Sequence, residues 1–436
     1  MSNFELGLWS LPALLVLILM RAPVGLAMFA CGAGGLWLVT GSNAMMMARM
    51  KTETFSVFSG YSLSIIPMFL LMGQFATLGG MSAALFRAAE AFAGHRRGGL
   101  GMAAIGACAG FGAICGSSLT TAATMGQVAL PELRRAGWSG GLSTAIIAAG
   151  GTLGILIPPS VVLVLYAILT EQNIGKLFLA AFVPGLLAAL FYMIVIRLYL
   201  TTRPGEGGTV PRVPWGRRWR ALAGVWPVLA VFLLVVFGIY DGWFTPTEGA
   251  AVGAAATGLI ALAGGRLDRR ALGQALLRTA EGTAMVFFIV LGAAVYNGFL
   301  ALAQVPQNLS AWVIAAGLPP YGVLALILIV YLALGTLMDS MSMILLTVPI
   351  FFPVVMALDF GMTPEQVAIW FGILVLVVVE VGLISPPVGM NLFVLSSMAP
   401  DTPVTATWGR VVWFVLADLI RVVLLVAFPA IVLFAV

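Results

Sequence analysis

A double proline interrupts a membrane-length apolar run at two places in this 436-residue chain. The first break lies in residues 154–160 (GILIPPS) and the second in residues 382–388 (GLISPPV). Proline removes a backbone donor and clashes with the preceding helical turn. Because hydrocarbon offers no partner for the freed carbonyl, such a break survives only where it is buried or lines a polar cavity. A matched pair of interrupted helices therefore predicts a secondary transporter with substrate and ion sites near mid-membrane.

The composition of the chain is that of a membrane protein. Hydrophobic residues make up 61% and charged residues only 8%, and the mean hydropathy of +1.10 lies far outside the range of soluble domains. The first 20 residues lack a basic start and a cleavage site, so we expect a retained helix. The sequence has no Walker motif, metal-site spacing or nucleophile elbow, so it predicts no enzymatic activity and no cofactor.

Apolar segments long enough to span a bilayer, at roughly 20 residues each, occur near 6–20, 22–40, 56–79, 141–170, 176–200, 221–240, 247–263, 280–303, 364–398 and 410–436. Two further apolar segments, 98–131 and 320–358, are interrupted at their centres by small or polar residues. Each segment allows two interpretations, namely one irregular span or a helical hairpin that enters and leaves on the same side.

The placement of lysine and arginine favours the hairpins. With the N-terminus outside and both segments re-entrant, 17 of the 21 basic residues are cytoplasmic: Arg21, Arg87, Arg96, Arg97, Arg134, Arg135, Arg197, Arg203, Arg212, Arg217, Arg218, Arg220, Arg266, Arg269, Arg270, Arg278 and Arg410. This is the bias that the positive-inside rule requires. Making either segment a full span would move every later loop to the other side. We therefore predict two re-entrant hairpins and periplasmic N- and C-termini.

The chain also contains an internal repeat. Residues of the first hairpin recur in the second at an offset of 223: Gly112, Ser117 and Thr124 return as Gly335, Ser340 and Thr347. Equivalent spans at 56–79 and 280–303 are five crossings apart. Because an odd number of crossings reverses orientation, the two repeats are predicted to be inverted.

The sequence thus predicts an all-α polytopic membrane protein of two inverted repeats. The first repeat, 1–200, comprises scaffold helices 1–79, an arm 82–97, a hairpin 98–131, a broken helix 141–170 and a helix 176–200. A cytoplasmic linker is predicted at 201–219. The second repeat, 220–436, comprises scaffold helices 221–303 with an arm 266–279, a hairpin 320–358, a broken helix 364–398 and a last helix 410–436.

Small hydroxyl residues occupy the tip of the first hairpin, where Ser117, Ser118 and Thr120 follow Gly116. At a helix break such residues offer oxygens to a hard cation, and the helix N-terminus offers amides to a carboxylate. The alternative is that small residues only allow close helix packing. The nearby proline break favours the binding site.

Polar residues of the second half are candidates for the same site. Asp339 lies at the tip of the second hairpin, where it could ligate sodium, carry a proton or act as a structural cap. Glu380 precedes the second break, and its alternative role is to pair with an arginine or with backbone. Asn391 follows that break by four residues, and it could instead cap the freed backbone. Asp418 and Arg421 are predicted to form a self-neutralising pair.

Five stretches of the chain are familiar as a set: 112–126 (GAICGSSLTTAATMG), 129–137 (ALPELRRAG), 148–160 (AAGGTLGILIPPS), 169–175 (LTEQNIG) and 385–391 (SPPVGMN). They resemble the large membrane subunit (DctM-like permease) of tripartite ATP-independent periplasmic (TRAP) transporters, and the resemblance extends over essentially the whole chain. It implies a fold similar to that of the ion transporter superfamily. It also implies an elevator mechanism, in which a transport domain moves against a scaffold.

The resemblance implies sodium-coupled import of an organic acid, such as a C4-dicarboxylate or sialic acid, across the bacterial inner membrane. It implies two partners, a periplasmic substrate-binding protein and a small four-helix membrane subunit, which we expect to be a separate polypeptide. It places sodium sites among Gly116, Ser117, Ser118, Gly154, Pro158, Thr336, Asp339, Gly382 and Pro386. It places the substrate near Ser118, Thr120, Pro159, Ser340 and Asn391.

Other functions stay open at this point. A stand-alone sodium/dicarboxylate carrier of related architecture would transport without a binding protein. A channel, or a scaffold with no transport cycle, belongs to a different class, but a channel has no need of two hairpins that close from opposite sides.

Overall fold

The computed structural model describes residues 1–434 and 436, and within this part of the chain the regular structure is entirely helical. The all-α prediction is confirmed. The helices of the first half are α1 (Asn3–Leu19), α2 (Val24–Thr40), α3 (Asn43–Ser59), α4 (Ile65–Leu78), α5 (Met81–Ala93), α6 (Gly99–Cys115), α7 (Ser118–Arg135), α8 (Gly140–Leu156), α9 (Val161–Thr170) and α10 (Ile174–Thr202).

The second half continues with further helices. They are α11 (Trp215–Ala223), α12 (Trp226–Tyr240), α13 (Pro246–Ala263), α14 (Arg269–Leu302), α15 (Val305–Ala315), α16 (Pro320–Gly335), α17 (Ser340–Met356), α18 (Pro364–Ile384), α19 (Met390–Met398), α20 (Val404–Ala427) and α21 (Ala430–Leu433). Among the residues that the structure describes, four helices are long and apolar enough to cross a membrane, or up to six if each bent pair forms one span. The chain is therefore a multi-pass membrane protein.

Both double prolines end a helix, as the sequence predicts. Helix α8 ends at Leu156, and α9 resumes at a bend of 42° after Ser160, whose side chain caps it by accepting from the backbone N–H of Leu163. Helix α18 ends at Ile384, and α19 begins at Met390. Both Pro–Pro peptide bonds are cis.

The two interruptions predicted inside 98–131 and 320–358 are also observed. Helices α6 and α7 are separated by Gly116 and Ser117, and Gly116 adopts a left-handed φ of 64°, which a glycine reaches at little cost. Helices α16 and α17 are separated by the four residues 336–339. The two helices of each pair contact one another.

Some element boundaries differ from the prediction. The arm at 266–279 is not a separate helix, because α14 runs without a break from Arg269 to Leu302. No proline separates its basic first turns from the apolar span that follows. In the first half, the short helix α5 follows the span α4. In the second half, the corresponding short helix is α15, which follows the span α14. Helix α3 is an additional helix that begins at the cap Ser42.

The linker at 201–219 is bound to the helices around it and includes the start of α11. The backbone N–H of Ser139 donates to the carbonyl of Glu206 at 3.0 Å, and the N–H of Val210 donates to the carbonyl of Gly94 at 3.2 Å. The indole of Trp138 donates to the carbonyl of Gly208 at 3.0 Å. These bonds fasten the linker across the ends of α5 and α8.

Helix packing divides most of the described chain into two groups. In the first group, α2 packs on α14 and α4 packs on α13, so early helices of the two halves form one layer. In the second group, α6 and α7 pack on α8 while α16 and α17 pack on α18, and α10 and α20 complete this group. Helix α18 is its centre, since its most apolar window is entirely buried.

Candidate functional site

The two predicted hairpins, which are the helix pairs α6–α7 and α16–α17, pack reciprocally on the two broken helices. The second arm of the first hairpin, α7, contacts α19, and the second arm of the second hairpin, α17, contacts α9. Each half therefore completes the packing of the other half at its helix break. This exchange brings the two tips and the two breaks together inside the second group of helices. The buried polar residues there, which include Ser118, Thr121, Ser340, Glu380 and Asn391, are called the polar cluster.

A pair of facing glycines sets the distance between each hairpin and its broken helix. A Cβ atom on Gly112 would lie 2.6 Å from the Cα of Gly154, and a Cβ on Gly382 would lie 2.6 Å from the Cα of Gly335. Real Cβ atoms do not approach other atoms so closely, so neither Gly112 nor Gly382 could carry a side chain without a shift of the facing backbone. In each half, the backbone of the first hairpin helix thus touches the backbone of the broken helix.

The predicted sodium residues of the first half lie close together. A Cβ on Gly154 would lie 2.7 Å from the carbonyl oxygen of Ser117, and a Cβ on Gly116 would lie 3.0 Å from the carbonyl oxygen of Pro159. Pro158 and Pro159 are both buried. Thr120 is half-buried, and its N–H donates to the Ser117 hydroxyl, which caps α7. Backbone oxygens are therefore concentrated where the hairpin meets the first break.

Residues of the predicted second sodium site are bonded within their own segments. Asp339 caps α17, accepting from the backbone N–H of Ser342 at 3.1 Å and also from the Ser342 hydroxyl. The Thr336 hydroxyl donates to the carbonyl of Ala333 at 2.8 Å. The capping alternative is thus present in the structure, and cation binding by Asp339 stays a prediction. Pro386 is half-buried, so this break is more open than the first.

Glu380 is the carboxylate at the centre of the cluster. It is completely buried on α18, and its Oε1 accepts a hydrogen bond from the hydroxyl of Ser340 at 2.8 Å. Its partner is therefore a hairpin serine that was predicted to bind substrate. The sequence indicated Glu380 as a candidate but did not assign it to the sodium or the substrate residues. The available signal was one acid inside a run of valines, but α18 is buried on all sides and its pattern does not reveal which way Glu380 points.

Asn391 connects the two halves of the chain. Its Nδ2 donates to the hydroxyl of Ser118 at 3.0 Å and to the carbonyl of Ala148 at 3.2 Å. Ser118 belongs to the first hairpin and Ala148 to the first broken helix, whereas Asn391 begins the resumed part of the second broken helix. One amide thus joins the elements on which the predicted substrate residues lie.

A second buried polar network lies next to the polar cluster, between α8, α10 and α20. Asp418 and Arg421 form an ion pair at 2.8 Å with both side chains fully buried, which confirms the predicted pair. The Tyr192 hydroxyl donates to Asp418 at 2.6 Å and lies 2.9 Å from the Thr152 hydroxyl. The sequence did not indicate Tyr192 or Thr152, because each looks like an ordinary residue of an apolar helix. The network anchors α20 and α10 to α8 at Thr152, which is two residues before Gly154.

Three buried oxygens of the cluster accept no hydrogen bond from the described part of the chain: Thr121 Oγ1, Glu380 Oε2 and Asn391 Oδ1. Hydroxyl, amide and carboxylate oxygens are the ligands that hard cations prefer. No group of three or more His, Cys, Asp or Glu residues that could hold a metal ion occurs among the residues described. The cluster therefore suits a small hard cation better than a transition metal.

Comparison with known proteins identifies the family of the chain. Residues 11–431 match the family described as "Tripartite ATP-independent periplasmic transporter, DctM component". The chain is 39% identical to the C4-dicarboxylate TRAP transporter large permease protein DctM of Pseudomonas aeruginosa, over 88% of each chain. It is 31% identical to the sialic acid TRAP transporter large permease protein SiaM of Vibrio cholerae, over 79% of this chain and 78% of the relative.

The fold has a counterpart among solved structures. The YdaH transporter of Alcanivorax borkumensis superimposes with a TM-score of 0.63, over 99% of this chain and 98% of that one, at 16% sequence identity. At that identity the similarity concerns the fold alone. The resemblance drawn from the sequence is confirmed by the family match, and with it the expectation of a transporter and not an enzyme. The chain belongs to the DctM component family of tripartite ATP-independent periplasmic transporters.

Proposed function

We propose that this protein imports an organic acid, handed over by a periplasmic binding protein, and that a sodium gradient drives the import. The observation that carries the proposal is the polar cluster at the helix breaks of a TRAP family member. A C4-dicarboxylate is the first substrate class to examine, because the relative at 39% identity is named for it. Sialic acid follows, since that relative is 31% identical.

Sodium would bind at the two hairpins. The first site consists of Gly116, Ser117, Ser118, Gly154 and Pro158, where backbone oxygens meet. The second consists of Thr336, Asp339, Gly382 and Pro386. Glu380, two residues before Gly382 of the second site, supports cation binding, since a buried carboxylate with one oxygen lacking a hydrogen-bond donor must be neutralised by a cation or by a proton.

The substrate carboxylate would bind between the hairpin tips, near Ser118, Thr120, Pro159, Ser340 and Asn391. Helices α7 and α17 both begin at these tips and contain 18 and 17 residues. The N-terminus of a helix carries partial positive charge and free N–H groups, so two such ends favour an anion. No cofactor is needed for this binding.

Transport would follow an elevator mechanism. The first group of helices would form the scaffold, and the hairpins, broken helices and last helices would move as one body. Support comes from the division of the packing into these two groups and from the predicted inverted repeats. The proposed topology has both termini in the periplasm of a bacterial inner membrane. It predicts that a cysteine in place of Gly205 is labelled from the cytoplasm only.

The proposed partners are a small four-helix membrane subunit and a periplasmic binding protein. The test is reconstitution in proteoliposomes with an inward sodium gradient, with the small subunit present and the binding protein present or absent. We expect uptake of the organic acid only with the binding protein. Equal uptake in its absence would reject the proposal in favour of a stand-alone sodium/dicarboxylate carrier.

A further inference from the structure

Three arginines line a cavity at the end of α10 that we assign to the cytoplasm. The cavity has a volume of about 270 Å³, and its walls are Arg96, Arg97, Arg197, Leu200 and Thr201. In the described part of the chain, none of the three guanidinium groups forms a salt bridge or a hydrogen bond. Three positive charges without a carboxylate in one cavity favour an anion, and guanidinium groups match the oxygens of a phosphate in particular.

The start of α6 adds to the positive potential of this cavity. Helix α6 begins at Gly99, directly after Arg96, Arg97 and its N-cap Gly98. Gly98 packs on α10, because a Cβ there would lie 3.3 Å from Leu200 and 3.6 Å from Ile196. Leu200 is itself a wall of the cavity. The positive end of α6 is therefore adjacent to the arginines and reinforces the preference for an anion.

An apolar ridge extends from the cavity along α10. Its members are exposed and follow one another at intervals of four residues: Phe182, Leu186, Leu190, Ile194 and Leu198. Such a row forms a continuous ridge on a helix. At 1.5 Å per residue it extends about 24 Å, close to the thickness of the hydrocarbon core. Arg197 adjoins Leu198, so the charged cavity and the apolar ridge meet at one end of the helix.

We propose that Arg96, Arg97 and Arg197 form a binding site for a phosphate group, and that this phosphate is the headgroup of an anionic lipid of the cytoplasmic leaflet. The arginines would hold the phosphate, and the acyl chains would lie along the ridge on α10. A free phosphate ion would satisfy the arginines but would leave the ridge without a role. The site is independent of the transport site, since none of its residues belongs to the polar cluster.

The test is a binding titration on the full-length protein, purified in an uncharged detergent and freed of lipid. The probes are phosphatidylglycerol, phosphatidylcholine and inorganic phosphate. We expect tight binding of phosphatidylglycerol and weak binding of phosphatidylcholine. The double variant Arg97→Gln/Arg197→Gln should bind phosphatidylglycerol about 30-fold more weakly, on the basis of the free energy that each basic residue near an anionic surface contributes.

The matched control is Arg217→Gln/Arg270→Gln, which removes the same charge from exposed positions outside the cavity and should bind like wild type. The variant Arg97→Lys/Arg197→Lys keeps the charge and should retain part of the affinity, which guards against misfolding of the glutamine variant. Equal loss in the control variant, or no loss in the cavity variant, would overturn the site. Arginine-dependent binding of inorganic phosphate that excludes the lipid would overturn the lipid assignment.

Discussion

Asn391 and Ser118 are 273 positions apart in the sequence and are joined by a hydrogen bond of 3.0 Å in the buried centre of the protein. The same amide donates to the carbonyl of Ala148. The resumed helix after the second proline break is thereby tied to the first hairpin and to the first broken helix. The two halves consequently share one polar centre instead of forming a separate site each.

The first prediction concerns this link. Asn391→Ala should lower the free energy of unfolding by about 1–3 kcal/mol, because two buried acceptors lose their donor. It should also lower the rate of uptake, because the second broken helix loses its bonds to the first hairpin and to the first broken helix. Thermal unfolding and uptake in proteoliposomes measure the two effects. The control Asn308→Ala removes an exposed amide that bonds only its own helix turn. Equal stability and uptake for both variants would contradict the prediction.

The second prediction concerns the facing glycines. Gly154→Ala places a Cβ against the carbonyl of Ser117 and the side chain of Thr121, so overpacking should cost about 1–3 kcal/mol of unfolding free energy. Gly273→Ala is the matched control, since its Cβ enters open space within α14. The control should instead gain about 0.8–1.0 kcal/mol of helix propensity. Chemical or thermal unfolding measures whether each variant is less or more stable than wild type. A stabilising Gly154→Ala would disprove the close contact.

Much of this architecture could be predicted because its signals are local. A double proline cannot continue a helix, and a glycine followed by small hydroxyl residues favours a helix end, so both breaks and both interruptions were predictable from 154–160, 382–388 and the offset repeat. The partners of buried side chains were not. Glu380 lies on a helix that is apolar and buried on every side, so no periodicity indicates that it faces Ser340. The continuous helix α14 was also missed, because a change from basic to apolar residues resembles a boundary although no residue there breaks a helix.

The third prediction separates charge from capping at Asp339. Asparagine caps helices as well as aspartate does, so Asp339→Asn should keep α17 stable. If the carboxylate helps bind sodium, the variant should require more sodium for half-maximal uptake and should show less thermal stabilisation by sodium, which acts on the folded state by mass action. Asp339→Ala removes the cap as well and should also be less stable without sodium. An unchanged sodium dependence in Asp339→Asn would make the residue a structural cap only.

The fourth prediction concerns Glu206 in the linker and the stability of the protein at low pH. Burial raises the pKa of Glu206, but hydrogen bonds from Arg410, Ser139 and Tyr199 outweigh it and hold the pKa below the ordinary value of 4.5. A carboxyl group with a lowered pKa in the folded state stabilises that state above the pKa of the unfolded chain. The stabilisation is lost as the pH falls through the folded pKa.

Wild-type protein should therefore lose stability as the pH falls below about 4.5, as paired carboxylates become protonated. Glu206→Gln should be less stable at pH 7 and should lose less on acidification. Thermal unfolding at a series of pH values measures both effects. Glu365→Gln, which removes an exposed ion pair with Lys176, is the control and should change little. If Glu206→Gln lost as much stability on acidification as wild type, the hydrogen bonds to Glu206 would contribute nothing to stability.

The central claim is that sodium bound at the polar cluster drives import. The most direct measurement uses proteoliposomes that contain this chain and its small subunit, with the binding protein loaded with substrate outside. Uptake is compared under an inward sodium gradient and under an equal potassium gradient at a clamped membrane potential. The account predicts uptake that rises with external sodium and is absent with potassium. Equal uptake under the two gradients would contradict it.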